Sequence, residues 1–160
     1  MPAQGPRFEV SSIIQANPDI VWDILTDYRN GHPRILPPEA FSDLRVEAGG
    51  RGEGTIITFT FHRPGFSRVM RARVSAPEPG RTLVESQIDG SGVTTFTLTP
   101  IEGGRHTEVH IITEFKGYAG VVGALFRLLM TPVGLSARGV YLDELRRLNA
   151  LAQQWASARP

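Results

Sequence analysis

Five short turn-rich segments, GGRGEG, RPG, PEPG, DGSG and EGG, divide the middle of this chain into runs of strand-forming residues. The runs are Leu44 to Ala48, Thr55 to His62, Phe66 to Ala76, Arg81 to Ile88, Val93 to Pro100 and Arg105 to Phe115. They are rich in β-branched and aromatic residues, and the glycine and proline between them favour tight reversal. Parallel neighbours would need crossovers of roughly a dozen residues or more, which these segments cannot provide. The spacing therefore predicts an antiparallel meander.

A further strand is expected from Phe8 to Ile14, where Phe8, Val10, Ser12 and Ile14 alternate against Glu9, Ser11 and Ile13. A helix follows: Asn17 suits the N-cap, Pro18 the first helical position and Asp19 the dipole, with an apolar stripe of Val21, Ile24, Leu25 and Tyr28. Asn30 and Gly31 end it, and HPRILPP leaves room for one more short helical turn before Pro37 and Pro38. At the other end of the chain, Tyr141, Leu145, Leu148, Ala152 and Trp155 recur every three or four residues, the mark of a long helix. Between Phe115 and that helix, GYAGVVGALFRLLMTPVG reads as a helical segment packed on the sheet and broken near Pro132. A seven-stranded curved sheet needs cover for its apolar face, and the C-terminal helix is the one large apolar element left to supply it. The expected fold is α+β, a single domain over residues 1–160, with two short helices after the first strand.

Composition excludes several chemistries. The chain has no cysteine, so disulfides, thiol nucleophiles and Cys-ligated metals are out of reach. Its formal charge of +1 gives no footprint for nucleic acid, although Lys116 is its single lysine beside an excess of arginine. The start, MPAQGPRFEV, has no apolar core of a signal peptide, and a cytoplasmic location is the expectation. HTEVH, from His106 to His110, invites a metal reading. In a helix the two imidazoles would share a face. In a strand their Cα atoms lie roughly 13 Å apart, near the limit for one ion. Val109, Ile111, Ile112 and Phe115 favour the strand, so the histidines are expected on its solvent face with no metal and no other cofactor.

The stretch FEVSSIIQANPDIVWDILTDYRNGHPRI, followed by GEGTIITF, APEPGRTLVES, TTFTLTPIEGGRHTEVHIITEF and the terminal helix, resembles the START-like superfamily over nearly the whole chain, in particular its polyketide cyclase/dehydrase and lipid-transport branch. Asn17, Pro18, Val21, Trp22, Leu25, Asp27 and Tyr28 match that family's first-helix motif. The resemblance implies a helix-grip fold, with the sheet wrapped on the C-terminal helix and a ligand pocket between them. Where many relatives carry a tryptophan soon after the first helix, this chain has Ile35 and Leu36, and no ligand contact carries over there.

Pleat parity then assigns the pocket face. If Pro100 stands opposite Arg105, then Thr94, Phe96 and Leu98 share a face with Thr107, Val109, Ile111, Thr113 and Phe115, leaving His106, Glu108 and His110 outside. The PEPG turn groups Met70, Ala72 and Val74 with Leu83, Glu85 and Gln87, and the HRPGF turn adds Ile57, Phe59 and Phe61. The inner face is apolar except at Glu85, Gln87 and Thr94. A lone buried carboxylate is costly, so Glu85 must be paired, solvated or neutral. It is the candidate catalytic group; pairing with Arg68 or Arg34, or outward rotation at a bulge, are the structural alternatives. Arg71 and Arg73 are expected on the outer face as solvated charge.

The candidate ligand-binding set is Tyr28, Arg34, Phe59, Phe61, Met70, Glu85, Gln87, Thr94, Phe96, Ile111, Phe115, Tyr118, Phe126 and Met130. Three functions remain open. One is a binding module for a lipid, isoprenoid or polyketide-like molecule, as monomer or homodimer. Another is a cyclase or dehydratase in which Glu85 acts as general acid or base and Tyr28 or Arg34 polarises a carbonyl. The third is transient membrane contact through residues 118–135, with Arg127 at the headgroups. The binding module is preferred, because no nucleophile elbow, phosphate loop or ligand cluster accompanies Glu85. The segment from Tyr118 to Pro132 is expected to gate the pocket.

Overall fold

The computed structural model describes residues 4–117 and 120–160, save the side chains of residues 4, 126, 127 and 129–136. Seven strands form one antiparallel sheet in the order β1-β7-β6-β5-β4-β3-β2. They are β1 (Gln4–Ile14), β2 (Phe41–Ala48), β3 (Ile56–Arg63), β4 (Phe66–Glu78), β5 (Thr82–Gln87), β6 (Gly92–Ile101) and β7 (His106–Lys116). From β2 to β7 each strand pairs with its successor, as short turns demand, and β1 closes onto β7. The helices are α1 (Pro18–Thr26), α2 (His32–Ile35) and α3 (Gly120–Ala158). No helix among the described residues is long and apolar enough to cross a membrane.

The core lies between the concave face of the sheet and α3. Val10, Ile14, Ile57, Val74, Leu83, Phe96, Leu98, Val109 and Ile111 contribute from strands, Val21, Ile24 and Leu25 from α1, and Leu145, Leu148 and Ala152 from α3. The inner residues of each strand alternate with outer polar ones, which is the period-two pattern expected of a sheet packed on one side.

Three expectations require correction. Pro100 stands opposite Thr107, not Arg105, because Glu102–Gly104 forms a turn of 3₁₀ helix, with Gly103 at φ 69°, that takes up more chain than a tight hairpin. The slip is two residues, so parity is preserved: Thr94 faces Thr113, Phe96 faces Ile111 and Leu98 faces Val109. The C-terminal helix is not broken near Pro132 but runs from Gly120 to Ala158. A proline removes one backbone hydrogen bond and crowds the carbonyl four residues back, a cost that a helix anchored by the buried stripe of Leu145, Leu148, Leu151 and Ala152 absorbs. Arg71 is not merely solvated, since its guanidinium forks onto Glu47 with Nη2 2.6 Å from Oε2. Tyr118 lies outside the described residues, as do the side chains of Phe126 and Met130; from Gly120 on, the backbone of the expected gate is the first part of α3.

Candidate functional site

The geometry begins at the end of α1. Asn17 caps the helix by accepting from the Ile20 N–H at 3.0 Å, with Pro18 in the first turn. At the other end, the carboxylate of Asp27 accepts from the N–H groups of Arg29 (3.1 Å) and Asn30 (3.0 Å), an Asx-type turn that folds the chain sharply. The Tyr28 N–H bonds the Gly50 carbonyl at 3.0 Å, and the His32 N–H bonds the Asp27 carbonyl at 2.7 Å. Gly31 is required there: a Cβ would stand 2.6 Å from the Ile24 carbonyl oxygen. Tyr28 and His32 are thereby stacked, with ring centroids 4.6 Å apart, and His32 meets the edge of Phe96 at 5.9 Å.

Glu85 faces inward from β5, opposite Val74 on β4 and Thr94 on β6. Its Oε1 accepts the Tyr28 hydroxyl at 2.6 Å and lies 3.6 Å from Nε2 of His32. It is not paired with Arg68, which binds Asp89 at 2.5 Å, or with Arg34. His32 Nδ1 is 2.8 Å from the Leu25 carbonyl, which accepts only, so Nδ1 carries a hydrogen. Nε2 then turns toward the Glu85 carboxyl, at 3.6 Å too far for a direct hydrogen bond. Burial, then the charge of Glu85, then its hydrogen bond push the Tyr28 phenol well above its ordinary range.

A second polar group comes from α3. Tyr141 accepts from Thr113 at 2.9 Å, and Thr113 shares a hydrogen bond of 3.0 Å with Thr94. Burial pushes the Tyr141 phenol up to about 12, so it remains a neutral donor. One turn along, Glu144 is 2 % exposed and its Oε1 has no hydrogen-bond partner. Burial, reinforced by the negative charge of Glu85, holds its carboxyl well above the usual range.

These groups share one cavity of about 350 Å³. Phe8, Phe41, Leu44, Ile57, Phe59, Phe61, Met70, Phe96 and Phe115 make its apolar walls, and Phe66, Arg68, Ser91 and Lys116 line it at the ends of the strands. Of the residues expected from sequence, Phe59, Phe61, Met70, Glu85, Gln87, Thr94, Phe96 and Phe115 line this cavity. Tyr28 lies behind Glu85 and reaches it by hydrogen bond. Ile111 is core, buried to 1 % exposure, and does not line the cavity. Arg34 is exposed and outside it: in a single helical turn His32 and Ile35, three residues apart, share the buried face, and Arg34 is rotated away from them.

His32, Thr113, Tyr141 and Glu144 were not in the expected set. The same spacing that excludes Arg34 would have marked His32. Glu144 lies on the helix stripe between Tyr141 and Leu148, so it is an acid on an apolar face, the same signal that singled out Glu85. By contrast, His106 and His110 lie on the outer face as expected, the first 3.2 Å from Glu102 and the second 2.8 Å from Glu9.

Solved structures share this architecture. The solution structure of the KanY protein superposes with a TM-score of 0.76 at 26% identity, covering 96% of this chain and 99% of that one. An aromatase/cyclase, Zhui, from a Streptomyces species gives 0.70 at 17% identity over 93% and 94%. Norcoclaurine synthase from Thalictrum flavum, in complex with dopamine and hydroxybenzaldehyde, gives 0.68 at 18% over 96% and 88%. No curated protein matches the chain. The family described as polyketide cyclase / dehydrase and lipid transport matches residues 5–153, and with that span the chain belongs to this family.

Proposed function

We propose that the protein binds a hydrophobic small molecule, lipid, isoprenoid or polyketide-like, between the sheet and α3. The carrying observation is the cavity of about 350 Å³, whose walls are aromatic and aliphatic and which His32, Glu85, Thr94, Thr113, Tyr141 and Glu144 furnish with polar groups. That combination of a large apolar wall and a few fixed polar groups is the ordinary form of a small-molecule site. Membership of a family named for cyclases, dehydrases and lipid transport supports the same reading. Native mass spectrometry of the protein as purified tests it: an apolar compound bound one-to-one is expected. An empty protein that also takes up no neutral apolar fluorophore would refute it.

A second reading, a cyclase or dehydratase, is favoured by the contact of Glu85 with Tyr28 and His32. A carboxyl group within reach of an imidazole and a phenol can take a proton from a bound polyketone and return it elsewhere. In this reading His32, not the exposed Arg34, is the partner of Glu85. Glu85→Gln separates the two. A carrier keeps its fold and changes affinity by about 1 to 3 kcal/mol. An enzyme keeps its binding and loses turnover by roughly 100-fold or more. Contact with a bilayer is a third reading, favoured by Val121, Val122, Leu125 and Leu128, which stand exposed on α3; liposome co-sedimentation tests it.

A further inference from the structure

We propose that the buried end of the cavity, where Glu144 and Glu85 face the same space, is a subsite for a protonated amine, so that the ligand is an apolar molecule ending in an ammonium group. This rests on the reading that the cavity holds a small molecule.

At the buried end of the cavity the two carboxyl groups leave acceptor positions open. Oε1 of Glu144 is buried without a partner, and among the described residues Oε2 of Glu85 makes no hydrogen bond. Tyr28 gives its one hydrogen to Glu85, His32 gives its Nδ1 hydrogen to Leu25, and the hydrogen of Thr113 goes to Tyr141. Among the described residues the spare donors are the Tyr141 hydroxyl beside Glu144 and, elsewhere on the wall, the Gln87 amide and the Ser91 hydroxyl. An alcohol would bring one more donor, whereas an ammonium brings three and a charge opposite in sign to a carboxylate.

The charged neighbours fit that sign. Among the described residues, the titratable groups around Glu144 are Glu85 from β5, Tyr28 and His32 from the α1–α2 region and Tyr141 on α3 itself. The cations Arg68 and Lys116 line the outer part of the cavity, where Arg68 is already held by Asp89 and Lys116 is exposed and screened by solvent. A carrier of plain hydrocarbons gains nothing from an unpartnered buried acid, which lowers its stability. An ammonium seated between the two acids offsets that loss.

The proton inventory makes the idea measurable. Without ligand, Glu144 is held neutral by burial and by Glu85. When an ammonium docks, its charge favours the carboxylate, Glu144 releases its proton to solvent, and the ion pair remains.

Tryptamine and tryptophol, alike except for ammonium against hydroxyl, serve as probes in titration calorimetry at neutral pH in buffers of different ionisation enthalpy. Tryptamine is expected to bind roughly 10- to 100-fold more tightly, the range for a charged hydrogen bond. It should release close to one proton per molecule bound, as linkage requires. In Glu144→Gln both the preference and the proton release should disappear. Should that variant fail to fold, proton release by the natural protein decides the matter alone. Equal affinities with no proton release would overturn the amine subsite and leave the cavity reading standing. If neither compound binds, both fall.

Discussion

Glu144→Gln should stabilise the unliganded protein, and by an amount that grows with pH. The carboxyl is 2 % exposed, one oxygen lacks any partner, and its pKa is raised above its model-compound value of 4.5, first by burial and then by Glu85. The unfolded chain loses this proton near that ordinary value, while the folded chain retains it to higher pH. Between the two, the folded state binds more protons, so stability falls as pH rises. One group contributes as much as about 1.4 kcal/mol per pH unit in this window. From pH 5 to pH 7 the variant should therefore gain on the natural protein, by at most about 3 kcal/mol. With an m-value of about 1 to 3 kcal/mol per molar, that gain moves the urea midpoint by at most about 1 to 3 M. The assay is urea denaturation of both proteins at pH 5, 6 and 7. Stability–pH curves that run parallel would refute the reasoning, because they would mean that Glu144 titrates in the folded protein as it does in the unfolded chain.

Gly31→Ala should destabilise by about 2 kcal/mol or more, since its Cβ would overlap the Ile24 carbonyl and displace backbone that holds Tyr28 and His32; thermal unfolding measures it, and an unchanged midpoint would contradict the turn geometry. In a spectrophotometric titration at alkaline pH, Tyr141→Phe should remove a phenol that ionises at about 12, and a trace lacking only an ordinary tyrosine would show that Tyr141 is not buried. Zinc should not bind tightly through His106 and His110, each of which already faces a glutamate on the outer surface; micromolar affinity abolished by His106→Ala would overturn this.

Strand number, the succession from β2 to β7 and strand facing were legible because their causes are local, whereas the pairing of β1 with β7 joins the two ends of the sheet sequence and was not. Glycine and proline turns dictate antiparallel succession, and period-two alternation survives even the two-residue slip at Glu102–Gly104, since parity changes only with an odd shift. Thus Glu85 could be placed on the concave face from one hairpin and its alternating neighbours. The long helix was readable for the same reason, though not its continuity through Pro132, since a proline inside a helical run reads as a break.

The partners of Glu85 were beyond local reasoning. Tyr28 lies 57 residues away, and its hydroxyl reaches the carboxylate only because the Asp27 turn, Gly31 and the Gly50 carbonyl together set α2 against the sheet. Glu144 enters the same cavity through the rotation of α3 about its own axis. Helical periodicity says which residues share a face, but only tertiary packing decides what that face meets. The sequence could therefore supply one acid on an apolar wall. Its phenol, its imidazole and the second acid were brought to it by the fold, because side chains distant along the chain become neighbours only when burying apolar surface draws sheet and helix together.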